Sequence, residues 1–196
     1  MPYQKGKIEV SEGKNDDGHE MWIEAGLKAI VKSGIDGMRV EIVAKALGVT
    51  KGGFYRRFKD RRALLDAMLE SWRVGRIALI EKHGDLGSEN ARDRLKSLIK
   101  FYSERVNPEG MAIELAIRQW ARSDAAAAAV VAAVDEARLK VAAQLYRKQG
   151  LGAEDAQAWA FLLYSFIFGQ SMLSLELTPR KRVSLIAACA ETLVRM

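Results

Sequence analysis

The stretch LGVTKGGFYRRFKDRRALL, residues Leu47 to Leu65, places two adjacent glycines before an aromatic pair and five closely spaced cations. Glycine costs a helix about 1 kcal/mol relative to Ala, yet the flanking residues read as short helices. Gly48 suits a tight turn that needs positive φ. Thr50 is placed to cap a short helix from Lys51 to Phe58, and Asp60 to cap the next one, which carries Ala63, Leu64, Ala67, Met68 and Trp72. Upstream, Ile42, Val43, Ala46 and Leu47 give a helix from Arg39 to Leu47 an apolar side, with Val49 turned back toward the core. Two short helices joined by a glycine turn, the second one basic, form a helix-turn-helix pattern whose second helix enters the major groove of DNA. On the first turn of that helix, Gly52 and Gly53 let the backbone come close to bases or phosphates, at the end where the helix dipole favours anions. Phe54 and Phe58 are expected inside; Tyr55, Arg56 and Arg57 are expected outside.

The charge of the chain supports this placement. Between Arg39 and Arg62 there are eight cations against Glu41 and Asp60, which accounts for the whole formal net charge of +6. A basic excess confined to one segment is an electrostatic footprint for a polyanion. Elsewhere the 196 residues have the composition of an ordinary globular chain, 49% hydrophobic and 29% charged, without alternating β-branched runs. The expected class is therefore all-α. A single cysteine, Cys189, excludes an intrachain disulfide framework and suits a reducing cytoplasm. Residues 1–15 carry no apolar signal segment and read as a disordered extension, or as a basic arm reaching into a DNA groove. His19 and His83 are far from Cys189 in sequence and show no zinc-ligand spacing. With no phosphate loop or nucleophile elbow either, the chain reads as a non-enzyme without metal or cofactor.

The first helix is expected after Asp16 and Asp17 and up to Ser33, burying Ile23, Leu27, Ile30 and Val31, with Gly34 as its stop. Downstream the chain reads as helices only. One opens at Ser88 and runs to about Val106; another starts at Pro108; a third, capped by Ser123 or Asp124 and rich in alanine, reaches Lys148. From Ala156 to Leu175 twenty residues pass without a charge. Gln157, Ser165, Gln170, Ser171 and Ser174 argue against a membrane span, so this helix is expected to be buried on two sides. Thr178 and Pro179 open a last helix with an apolar stripe. Paired about a two-fold axis, these two helices make a four-helix homodimer interface from Phe161, Ser165, Gly169, Met172, Val183, Ile186 and Ala190.

Residues Met21 to Trp72 resemble the DNA-binding domain of TetR-type transcriptional regulators, through "WIEAGLKAIVKSGIDGMRVEIVAKALGV" and "TKGGFYRRFKDRRALLDAM". The resemblance implies a helix-turn-helix domain, 16–65, followed by a helical effector-binding and dimerisation domain, 66–196. It implies phosphate contacts by Tyr55 and Arg61, with Lys59 nearby, and adds Arg39 and Thr50 as candidates. It sets Lys51, Gly52, Gly53 and Arg56 toward bases, together with Arg57, which stands where many members carry His. It further implies a cytoplasmic, nucleoid-associated repressor that binds a palindromic operator in double-stranded DNA as a homodimer and is released by an unknown small-molecule effector. Tyr102, Arg118, Trp120, Tyr164 and Phe168 are the candidate pocket walls, chosen for size; Arg118 suits an anionic or polar ligand group, or an ion pair with Glu114 four residues earlier. The competing readings are a non-specific nucleic-acid binder and a regulator that activates without ligand.

Overall fold

The computed structural model describes residues 16–84, 90–103, 108–174 and 176–195. Within them the secondary structure is helical throughout: α1 Asp16–Gly37, α2 Val40–Leu47, α3 Lys51–Tyr55, α4 Arg61–Gly84, α5 Ala91–Ser103, α6 Pro108–Trp120, α7 Ala125–Lys148, α8 Ala153–Met172 and α9 Pro179–Val194. The chain divides into two compact units, Met1–Met68 and Leu69–Met196. The expected extension, residues 1–15, lies outside the described residues, as do Ser88, Val106 and Leu175.

In the first unit the core is built on aromatics. Trp22 meets Phe54 edge-on at 5.3 Å, and Phe54 stacks on Phe58 at 5.5 Å. Ile30, Met38, Val43, Leu64 and Met68 close around them, each at most 2% exposed. Gly26 brings α1 against α4, since a Cβ there would stand 2.6 Å from Met68 Sδ. Gly34 (φ 67°, ψ 179°) breaks α1 where a stop was expected, and the chain continues helically to Gly37. Gly48, also at φ 67°, closes α2 in the left-handed conformation.

Three expectations about this unit are corrected. The buried stripe of α2 is Val40, Val43 and Ala44, whereas Ile42 and Val49 are 48% and 41% exposed and Ala46 is exposed too. Arg39 is the N-cap rather than a helical residue, so Val40 starts the i, i+3, i+4 face and Ile42 falls well outside it. On α1, Trp22 takes the inward place expected for Val31, which is 41% exposed. The third helix ends at Tyr55 instead of Phe58, because Arg56 and Arg57 turn the chain toward Asp60.

The second unit packs α7 on α8, with α5 against both and α9 against α5. Its core comprises Leu95, Leu98, Ile99, Leu145, Tyr146, Leu163, Ile167 and Val194, all buried. Asn90 caps α5, Asp124 caps α7 and Thr178 caps α9, each accepting from a backbone amide three residues on. α8 begins at Ala153, three residues before the expected start, with Glu154 and Asp155 in its first turn where the dipole favours them.

Two of the expected interface residues face inward. Ile186 and Ala190 pack against the unit's own core, because α9 uses that side to cover α5. The outward side of α8 instead carries Phe161 (64% exposed), Leu162, Ser165, Gly169 and Met172 (75% exposed), and that of α9 carries Val183 and Leu185. Among the described residues no helix is long and apolar enough to cross a membrane, and no group of metal-ligating side chains is present.

Candidate nucleic-acid interface

The helix α3 is five residues long and anchored from below by Phe54, which is fully buried. Thr50 Oγ1 accepts from Gly53 N at 3.4 Å and so caps its first turn. Because successive helical residues rotate by about 100°, burying Phe54 drives Tyr55 outward, where it is 56% exposed. Arg39, Thr50, Lys51, Arg56, Arg57 and Lys59 are likewise exposed.

Neither glycine of α3 is demanded by the fold. Both are helical with negative φ; a Cβ on Gly52 would meet only Thr50 Oγ1, at 3.7 Å, and one on Gly53 would meet nothing within 4 Å. Alanine would thus fit and would favour the helix by up to about 1 kcal/mol per site. The space that these residues leave lies on the outside of the protein.

Three of the expected contacts are already engaged within the unit. Lys51 Nζ donates to Glu41 Oε1 on α2, and the pair holds the Glu41 carboxyl below and the Lys51 ammonium above their ordinary ranges. Both side chains are more than half exposed, so the bond is cheap to exchange for a phosphate or base. Arg57 donates to Gly53 O at 3.2 Å and lies over Gly18 of α1, turned away from the end of α3 rather than extended toward bases. Arg61 is committed more deeply: its Nε donates to Met38 O at 2.9 Å and its Nη2 to Ile35 O at 2.6 Å, tying the start of α4 to the α1–α2 connection. Glu41 and Gly18 were not anticipated, since both partnerships join segments far apart in sequence.

Residues 23–68 match the family model for bacterial regulatory proteins of the tetR family. Residues 23–68 therefore form a tetR-type DNA-binding domain. Among curated proteins no relative matches the chain. Solved structures do: a transcriptional regulator from Rhodococcus sp. with a TetR-family assignment is 24% identical, at a TM-score of 0.67 over 91% of this chain and 99% of that one. One from Mesorhizobium loti, with the same assignment, is 18% identical at a TM-score of 0.69 over 93% and 98%. GusR of Salmonella enterica is 15% identical at a TM-score of 0.69 over 92% and 96%. At these identities the likeness extends the TetR fold over both units without carrying any ligand across. The chain is accordingly a DNA-binding transcription regulator with a helix-turn-helix, and its described residues are all-helical.

The second unit contains a cluster of charge that sequence spacing revealed only in part. Glu114, 1% exposed, takes a bidentate pair from Arg138 at 2.9 and 2.8 Å and a further bond from Arg118 Nε at 2.9 Å. Arg76 Nε stands 3.5 Å from the same carboxylate. Arg118 and Arg138 also share Asp135. Burial pushes the Glu114 carboxyl up, but the Arg138 bonds and the three guanidinium charges outweigh it and hold it below its ordinary range. Arg118 therefore pairs with Glu114, one of its two expected uses, and lies 4.1 Å above the Phe168 ring.

Of the other expected pocket walls, Tyr102, Tyr164 and Phe168 form a ladder of rings spaced 6.4 and 6.2 Å apart. Only Tyr102 of the five lines the adjacent cavity of about 270 Å³. Trp120 is 2% exposed at the end of α6 and takes no part in that cavity.

Proposed function

We propose that this protein is a sequence-specific repressor that binds a palindromic operator as a homodimer in the cytoplasm and is released by a small-molecule effector held in its second unit. One observation carries the DNA reading: two glycines that the fold does not need stand on the exposed first turn of α3, among Lys51, Tyr55 and Arg56. Leaving off both Cβ atoms lets the backbone amides approach DNA closely, at the helix end where an anion is favoured. Tyr55, Lys59, Arg39 and Thr50 are proposed on phosphates, and Lys51, Gly52, Gly53 and Arg56 toward base edges. Arg61 is proposed to shape the surface by holding the α1–α2 connection, with any phosphate contact secondary. Arg57 reaches bases only by leaving Gly53 and Gly18.

The dimer is supported by the outward apolar stripe of α8 and α9, from Phe161 to Leu185. Exposed apolar area of this kind marks an interaction surface, and a two-fold pairing covers it on both copies at once. Selection of bound sequences from a random DNA pool at about 150 mM salt tests the whole reading. Enrichment of a palindrome with half-sites about 34–36 Å apart, or a multiple of that, supports it; a pool that stays unenriched refutes it in favour of non-specific binding.

A further inference from the structure

The cavity in the second unit carries more positive than negative charge among the described residues, with Arg76 and Arg182 against Glu114 in its wall. Residues of five helices converge on it: Arg76 from α4, Tyr102 from α5, Met111 and Leu115 from α6, Gln170 from α8 and Arg182 from α9. Arg76 and Glu114 of the wall belong to a cluster in which Arg76, Arg118 and Arg138 share the two carboxylates of Glu114 and Asp135, and Arg76 Nη2 also donates to Gly110 O at 2.8 Å. Arg182 has no carboxylate partner among the described residues. Its Nη2 is held by the carbonyl and the amide oxygen of Gln170, at 3.3 and 2.7 Å, and its buried Nε lacks any acceptor. Among the described residues four guanidiniums therefore stand against two carboxylates around this chamber, and a buried guanidinium donor without an acceptor is costly.

We propose that this cavity binds a small organic monocarboxylate, its carboxylate taken by Arg182 and Arg76 and its apolar body lying against Tyr102, Met111 and Leu115. Arginine presents a planar fork that matches a carboxylate, and Gln170 fixes the Arg182 side chain before a ligand arrives. A volume of about 270 Å³ suits a small molecule, at the lower edge of ligand pockets in general. An apolar lining favours an organic acid over inorganic phosphate, which would strand its own hydration shell there. This proposal rests on the reading of the second unit as the effector-responsive one.

The test uses the full chain in thermal-shift and calorimetric titrations with monocarboxylates from hexanoate to phenylpropionate and benzoate, with benzamide as the neutral counterpart of benzoate, and with inorganic phosphate. The carboxylates should bind and benzamide should not. Arg182→Gln should weaken binding about 10–100-fold, the worth of a charge-assisted hydrogen bond, while Arg180→Gln, on the exposed side of α9, should not. Binding of benzamide as tight as that of benzoate, binding of phosphate alone, equal behaviour of the two arginine variants, or no binding at all overturns the proposal. If Arg182→Gln does not fold, the benzoate–benzamide comparison on the unaltered chain decides. Operator binding measured alongside separates the two readings. A carboxylate that binds without changing operator affinity upholds the site and refutes effector release; intact operator binding without carboxylate binding refutes the site alone.

Discussion

Gly52 and Gly53 differ from Gly26 in what a methyl group would meet, and the difference separates fold from function. At Gly26 the neighbour is Met68, fully buried, so Gly26→Ala should destabilise the first unit by about 1–3 kcal/mol in denaturant melts. At Gly52 and Gly53 there is room, so Ala at either site should leave stability equal or up to about 1 kcal/mol higher. The same variants should lose at least tenfold in operator affinity, measured by fluorescence anisotropy, because the added Cβ holds the backbone off the DNA. Unchanged affinity would remove the observation on which the DNA reading stands. Tyr55→Phe and Arg61→Ala were equivalent in the sequence but are not in the structure. Tyr55→Phe should weaken all DNA sequences alike without altering the melt. Arg61→Ala should lower stability by about 1–3 kcal/mol, since it takes the side-chain donor from Met38 O and leaves Ile35 O with only the Met38 amide.

At the scale of elements, α6 and α7 are joined by charge as well as by apolar contact. Glu114 on α6 receives Arg138 from α7, and Asp135 on α7 receives Arg118 from α6. Glu114→Gln would leave three buried or half-buried guanidiniums short of an anion, a loss of about 3–5 kcal/mol at neutral pH. The pH dependence has a definite sign. The folded carboxyl titrates below its ordinary value of 4.5, so its contribution is full above that value and is lost as pH falls through the depressed folded value. Thermal melts should therefore fall more steeply below about pH 4.5 in the unaltered chain than in Glu114→Gln. Only the Glu114–Arg118 part of this cluster shows in the sequence, as an i, i+4 pair. Arg138 is 24 residues away from Glu114 and sits in an alanine-rich helix where it looks like surface.

For the whole molecule, the outward stripe of α8 and α9 sets the expected assembly. Light scattering should give about twice the 21.8 kDa chain mass at micromolar concentration. Phe161→Glu combined with Met172→Glu should give the monomer, by burying charge without a partner, while the melt of the isolated chain changes little because both side chains are exposed. Operator affinity should then fall sharply, since each copy presents too few phosphate contacts to bind alone at physiological salt.

Local residue chemistry was enough to establish the order of the helices, their caps at Thr50, Asp60 and Thr178, the glycine turn at Gly48 and the basic segment from Lys51 to Arg62. Each depends on backbone preference or on neighbours within one turn, which a linear reading contains. Which face of a short helix is buried was decided only by packing: α2 presents Val40, Val43 and Ala44 to the core and leaves Ile42 outside. The same holds for the inward choice of Ile186 and Ala190, the ties of Arg61 and Arg57, and the pairing of Glu114 with Arg138. These are contacts between distant segments, and a side chain's partner across such a distance is set by how the helices come together, not by its own neighbourhood.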